Sequence, residues 1–304
     1  MTYVLQAEGL VKQYRNFKAL DKLRMNVPKG AIYGLVGKNG AGKTTLIRLI
    51  CGLQEPTSGW YSLYGEQNSQ WEIFASRRRM GAIVETPSIY LQMSAEENLR
   101  EQYRVLGLPS FEGIQELLHL VGLENTGKKK AKNFSLGMRQ RLGIAVALCG
   151  DPDFLVLDEP VNGLDPEGIV EMRELILKLN REKQITVLIS SHILDELSRL
   201  ATHYGFIDAG RMVKEISAAE LEKAIRKCVR LTVTNTAALA FVLDSMGLSY
   251  NILSSTEADI FGEVNITQLA LALKEEDCEV LSLHERDESL ESYYISLIGG
   301  KSHD

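Results

Sequence analysis

The chain has 304 residues, of which 45% are hydrophobic and 24% charged, with a formal net charge of −6. That length accommodates one large domain and one small one, and that composition belongs to an ordinary globular protein. No stretch approaches the roughly 18 consecutive apolar residues of a membrane span, and the expectation is a cytoplasmic chain without a secretory leader. Residues 218–304 carry 7 Lys and Arg against 15 Asp and Glu, leaving 27 against 25 in the remainder. Neither portion has the basic excess of a general nucleic-acid binder, so no direct nucleic-acid partner is expected. Cys51, Cys149, Cys228 and Cys278 show neither metal-like nor paired spacing and read as reduced, partly buried thiols. The runs Arg77-Arg78-Arg79 and Lys128-Lys129-Lys130 read as solvated faces, with a docking surface for an acidic partner or lipid headgroup as the alternative.

In chain order, residues 3–10 alternate as a strand, and a second strand-like run spans Leu23 to Val27. The apolar run Ile32 to Val36 predicts a buried strand that feeds a glycine-rich turn and then a helix from about Lys43. A short strand at Trp60 to Tyr64, a basic helix over 69–79 and a buried strand at Met80 to Val84 follow. From Ser94 to about Leu123 the pattern is helical, broken at Gly107-Leu108-Pro109, and Ser94 with Glu97 reads as a capping box. A helix over Ser135 to Leu148 completes a helical portion over about 88–150. Next come a strand at Phe154 to Leu157, a helix over 167–183, a strand at Thr186 to Ser190 and a helix over 193–203. Strands Tyr204 to Asp208 and Arg211 to Lys214 turn on Ala209-Gly210. Strands alternating with helices predict an α/β domain with a mainly parallel sheet, and the opening strands add an antiparallel portion. Beyond Ser217 the order βαββαβ predicts a small α+β domain over 218–304 of ferredoxin-like type, with a closing helix from Ser289.

Three segments carry chemistry. Gly37 to Thr44 spells G-x-x-x-x-G-K-T between a strand and a helix. Gly37, Gly40 and Gly42 let backbone N–H groups of Lys38, Asn39 and Ala41 turn inward around phosphates, and the helix start adds its positive end. Lys43 supplies a cation for the β- and γ-phosphates, while the Thr44 hydroxyl, next to Thr45, is placed to hold Mg²⁺. Phe154 to Glu159 then delivers two carboxylates to a strand's C-terminal end, where ligands bind in open α/β sheets. Asp158 is expected to hold Mg²⁺ and Glu159 to take the proton from an attacking water. In Phe134 to Arg141, Ser135 reads equally as a helix N-cap or, with Gly137, as an anion-binding helix terminus.

Taken together and in this order, these segments resemble the nucleotide-binding subunits of ABC transporters over residues 1–217. GKNGAGKT over 37–44 is similar to Walker A, FLVLDE over 154–159 to Walker B, and FSLGMRQR over 134–141 to the family's signature motif. Gly163-Leu164-Asp165 matches the D-loop and Ser190-Ser191-His192 the switch histidine, while Tyr14 falls where the family stacks an aromatic ring on adenine.

The resemblance implies two copies meeting head to tail with ATP and Mg²⁺ between them, Ser135 and Gly137 acting across that interface. It further implies that His192 contacts the γ-phosphate and that Asp165 links the two sites. Without the resemblance, His192 reads as a capped surface histidine, Asp165 as a turn residue before Pro166 and Tyr14 as a half-buried aromatic. The chain departs from the family at Leu136 and Met138 in the signature, and at Glu85, where most members carry a glutamine; the glutamate is still expected to bind Mg²⁺ through an oxygen or water. That glutamate is similar to the variant of bacitracin- and lantibiotic-type export and immunity transporters. The implied activity is ATP hydrolysis driving export of a peptide antibiotic or other amphiphile through a separate membrane subunit, with the chain held at the inner face of the membrane. A non-transport ATPase acting on ribosomes or DNA, or an ATP-gated regulatory dimer, is the alternative.

Overall fold

In a computed structural model that describes residues 2–224, 227–262, 264–287 and 290–299, the chain opens with a long antiparallel hairpin. β1 (Tyr3–Tyr14) and β2 (Phe17–Pro28) pair from Tyr3 opposite Pro28 to Tyr14 opposite Phe17. Both strands outrun the sequence expectation. Register shifts at Ala7/Leu10, Leu10/Lys12 and Lys12/Gln13 break the period of two that would have revealed them. β4 (Ser58–Leu63) and β5 (Glu66–Gln67) complete an antiparallel sheet in the order β2-β1-β4-β5.

The second sheet has the order β10-β9-β3-β8-β7-β6. It contains β3 (Ile32–Val36), β6 (Met80–Ile83), β7 (Phe154–Asp158), β8 (Thr186–Ser191), β9 (His203–Asp208) and β10 (Arg211–Ser217). Every pairing is parallel except the β9–β10 hairpin. Residues of β3, β7 and β8 are buried throughout, which is why their sequences are continuous apolar runs rather than alternating ones. α1 (Lys43–Ile50) lies in one core shared by both sheets: Leu46, Ile47, Leu49 and Ile50 pack with Leu10, Leu20, Met25 and Leu35.

α2 (Ile73–Arg77) is shorter than the expected basic helix, because Gln70 instead closes a turn by accepting from the Gln67 N–H. The basic run is largely engaged within the chain: Arg77 donates to the Tyr61 hydroxyl, and Arg79 pairs with Asp153. α3 (Ala95–Val105), α4 (Ile114–Leu120) and α5 (Leu136–Leu148) form the helical portion. The capping box is present. Ser94 Oγ accepts from Glu97 N at 3.2 Å, and Glu97 Oε2 accepts from Ser94 N at 2.6 Å. α6 (Pro166–Lys183) precedes β8. α7 (Leu194–Ser198) stops short of the expected 203, since the sheet claims Thr202, whose N–H donates to Ile32 O at 2.8 Å.

The chain divides into two units, residues 1–218 and 219–304, with α8 (Ala218–Ala224) at the division. The second holds β11 (Lys227–Val233), α9 (Thr236–Ser245), β12 (Ser249–Ile252), β13 (Glu257–Phe261), α10 (Ile266–Glu275), β14 (Val280–Asp287) and α11 (Leu290–Gly299). Its sheet order β12-β13-β11-β14, antiparallel throughout, is the ferredoxin-like arrangement. Leu231, Val233, Leu239, Leu243, Ile260, Leu269 and Leu273 fill its core. The expected start of the closing helix, Ser289, lies outside the described residues. Among the described residues, no helix is long and apolar enough to cross a membrane. Cys51, Cys149 and Cys278 are free thiols, and burial pushes the Cys51 and Cys149 thiols up to about 12, which leaves them unreactive.

Candidate functional site

The parallel sheet brings its functional loops to one edge. β3 ends at Val36 and the chain turns at once into the phosphate loop, where Gly37 can carry no side chain: an added Cβ would lie 2.6 Å from Ile207 O. Gly42, with φ of 110°, caps α1 in a conformation that suits glycine alone. Gly40 also has positive φ, and Ala41 N closes the loop onto Lys38 O at 3.1 Å.

Lys43 is only 5% exposed. Its ammonium donates to Gly37 O at 2.6 Å and Lys38 O at 3.3 Å, and it pairs with Glu159 Oε1 at 3.2 Å. The other oxygen of Glu159 lies 2.7 Å from His192 Nδ1, within hydrogen-bond reach. The glutamate therefore spans the phosphate-loop lysine and the histidine after β8. Its backbone has φ of 50°, a strained conformation for a residue with a side chain. Ser190 sustains that turn: the Glu159 N–H donates to Ser190 Oγ at 3.0 Å, and the same hydroxyl donates to Asp158 Oδ1 at 2.5 Å. Asp158 is 2% exposed. The register explains this network, because Asp158 of β7 stands directly opposite Ser190 of β8.

A cleft of about 300 Å³ opens at this edge, lined by Asn39, Gly40, Gly42, Lys43, Thr44, Thr45, Glu159 and His192 from the expected set. Phe17, Ala19 and Asn162 line it as well. These three were not read from the sequence. Phe17 reaches the cleft only because the hairpin sets it opposite Tyr14, and Asn162 only because its N–H donates to Glu159 O at 3.1 Å. A larger cleft of about 700 Å³ lies beside β6 and α5, among Met80, Val84, Thr86 and Gly143, and contains none of the phosphate-loop residues.

Not every expected residue converges here. Tyr14 is outside the cleft lining, its hydroxyl on Gln54 Oε1 and its ring under Lys12, while Phe17, 62% exposed, takes the aromatic position at the mouth. Glu85 is also outside it, paired with Arg48. Ser135 caps α5, its Oγ accepting from Met138 N at 3.2 Å, and neither it nor Gly137 is in the cleft lining. Asp165 caps α6, accepting from Gly168 N at 3.1 Å. Leu136 packs on the D-loop: a Cβ added at Gly163 would lie 3.3 Å from Leu136 Cδ2.

A phosphate loop backed by a buried lysine, with an Asp-Glu pair at the end of β7, one strand removed from β3 in the sheet, defines a nucleoside-triphosphate-binding site. The model of the ABC transporter family matches residues 20–162. The bacitracin transport ATP-binding protein BcrA of Bacillus licheniformis is 40% identical over 305 residues, which cover 99% of each chain. The lantibiotic transport ATP-binding protein SrtF of Streptococcus pyogenes is 43% identical over 212 residues, covering 70% of this chain and 90% of its own. Among solved structures, cbiO1 from Clostridium perfringens, part of an ABC transporter complex, superposes with a TM-score of 0.65 at 26% identity, over 73% of this chain and 91% of its own. The chain belongs to the family of ATP-binding subunits of ABC transporters, ATPases that bind and hydrolyse ATP.

Proposed function

We propose that this chain is the ATP-hydrolysing motor of an exporter for a peptide antibiotic or other amphiphilic compound. It works as a head-to-tail pair of copies at the inner face of the membrane, through a separate permease subunit. The two relatives named for bacitracin and lantibiotic transport support the class of cargo, as does Glu85 in place of glutamine. The observation that carries the reading is Glu159, held between Lys43 and His192 at the mouth of the phosphate loop.

Lys43 and the backbone N–H groups of residues 37–43 receive the β- and γ-phosphates. As the phosphates take over the ammonium, Glu159 is released from it and its carboxylate turns to the attacking water. The water oxygen bonds to the γ-phosphorus, the bond to the β-phosphate oxygen breaks, and the proton passes to Glu159. His192 orients Glu159 through Nδ1 and contacts the γ-phosphate. Phe17, at the mouth of the cleft, offers the face for adenine in the place where Tyr14 was expected to do so. Ser135 and Gly137 complete the site on the partner copy's nucleotide, and Asp165 links the two sites.

The donors fit Mg²⁺. Thr44, which lines the cleft, and Asp158, at the end of β7, offer hard oxygen ligands. Such a sparse set suits an ion held by one or two protein oxygens together with the phosphates. When bound, Mg²⁺ withdraws charge from the β- and γ-phosphate oxygens. Glu85 would join through one oxygen.

The test is reconstitution with the membrane subunit. The purified chain should hydrolyse ATP slowly and be stimulated several-fold in liposomes containing the permease, with export of a bacitracin-like peptide lost in Glu159→Gln. ATP hydrolysis indifferent to the permease would remove the transport reading.

A further inference from the structure

Glu85 was expected at the metal, yet its carboxylate rests elsewhere. Arg48 Nη2 lies 2.5 Å from Glu85 Oε1. Arg48 sits on α1, five residues past Lys43, so this cation is anchored to the helix that the phosphate loop opens. Glu85 leaves β6 two residues beyond Ile83, which stands opposite Leu157 of β7. It therefore emerges at the same sheet edge as Glu159. Like Glu159, it takes a left-handed backbone conformation, with φ of 63°. Two residues on, Pro87 is pressed against α5, where a Cβ added at Gly143 would lie 2.6 Å from Pro87 Cβ. Residues 85–87 are thus tied at one end to α1 and at the other to α5, the helix that Ser135 caps.

Fold stability does not account for the Arg48–Glu85 pair. Its side chains are 36% and 56% exposed, and ion pairs at that exposure contribute little and exchange readily. Its effect is electrostatic. A glutamate brings to the triphosphate edge a negative charge that glutamine lacks, and Arg48 cancels it.

Resting on the phosphate-loop reading above, we propose that Arg48 is a positioning residue for Glu85. It holds the carboxylate on α1 and keeps its charge offset while the triphosphate is bound, so that the glutamate variant can accept ATP.

The test is ATP binding by calorimetry in the full chain, with every arm carrying Glu159→Gln to stop turnover. Arg48→Gln should weaken ATP binding about two- to fivefold, the span an exposed ion pair can account for. The same substitution should have no effect when Glu85→Gln is also present. Arg48→Lys, which keeps the charge, should bind as the parent does, and the Arg48→Gln penalty should shrink in high salt. An equal loss with and without the Glu85→Gln substitution, or no loss in either background, overturns the pairing while leaving the phosphate-loop reading intact. Failure of the Glu159→Gln parent itself to bind ATP overturns both.

Discussion

Among the described residues, two ion pairs have one partner almost wholly buried, Lys43 in one and Asp259 in the other, and they are built for opposite ends. In the second unit, Arg230 and Asp259 are direct cross-strand neighbours, joined by two hydrogen bonds at 2.7 and 2.8 Å, with Asp259 fully buried. Both carboxylate oxygens are spoken for and the partners sit within regular sheet, so the pair is fixed. In the first unit, Lys43 and Glu159 meet at a strand end beside an open cleft. There the lysine's other partners are two carbonyls of the phosphate loop, and the glutamate's backbone is strained. A triphosphate offers that lysine a better anion than Glu159 does. A parallel sheet gathers loop ends at one edge and so can present an exchangeable charge; an antiparallel sheet of paired neighbours locks one in place.

Three substitutions sharpen that contrast. Glu159→Gln should lower steady-state hydrolysis by about 10²–10⁴, the usual weight of a general base, without weakening ATP binding. Unchanged turnover would return Glu159 to a mere partner of Lys43. Lys43→Ala removes the charge that receives the phosphates and should lower turnover by about 10²–10³, read in a coupled phosphate-release assay. Arg230→Ala leaves Asp259 buried without its partner and should cost about 3 kcal/mol in denaturant unfolding of the chain, with the KM for ATP unchanged. Should KM rise instead, the two pairs are not independent.

The smallest effect concerns the helical portion. Ser94→Ala should cost about 1 kcal/mol through loss of the α3 cap. The pH profile carries the companion signal. Lys130, together with the Ser94 backbone N–H, holds the Glu97 carboxyl down at about 2. Its contribution is therefore present above the unfolded glutamate value of about 4.3 and fades as pH falls toward 2. Acid unfolding of Glu97→Gln should show a shallower loss over that window than the parent chain.

Much of the site was legible because its parts are local. Gly37 to Thr44 and Asp158-Glu159 each form a short run whose residue types state their chemistry, and the apolar strands before them fix their place in the sheet. Ser135 was legible as a cap for the same reason, since the bond it accepts comes from three residues away. What escaped depends on partners far along the chain. Phe17 enters the cleft through hairpin register, and bulges hid the length of that hairpin. Glu85 was read for its residue type and the motif around it, yet its contact is with Arg48, 37 residues earlier. The basic run at 77–79 looked solvated because neither Tyr61 nor Asp153 could be foreseen beside it. The C-terminal unit read well in element order because each of its strands and helices is bounded by polar or glycine residues, but nothing in that order assigns it a chemistry.

Sedimentation velocity of the Glu159→Gln chain, with and without ATP and magnesium, tests the central claim most directly. The account predicts a monomer without nucleotide and a dimer with it, the dimer weakened by Ser135→Ala, a residue outside the cleft lining of its own chain. A chain that binds ATP to saturation and stays monomeric would contradict it.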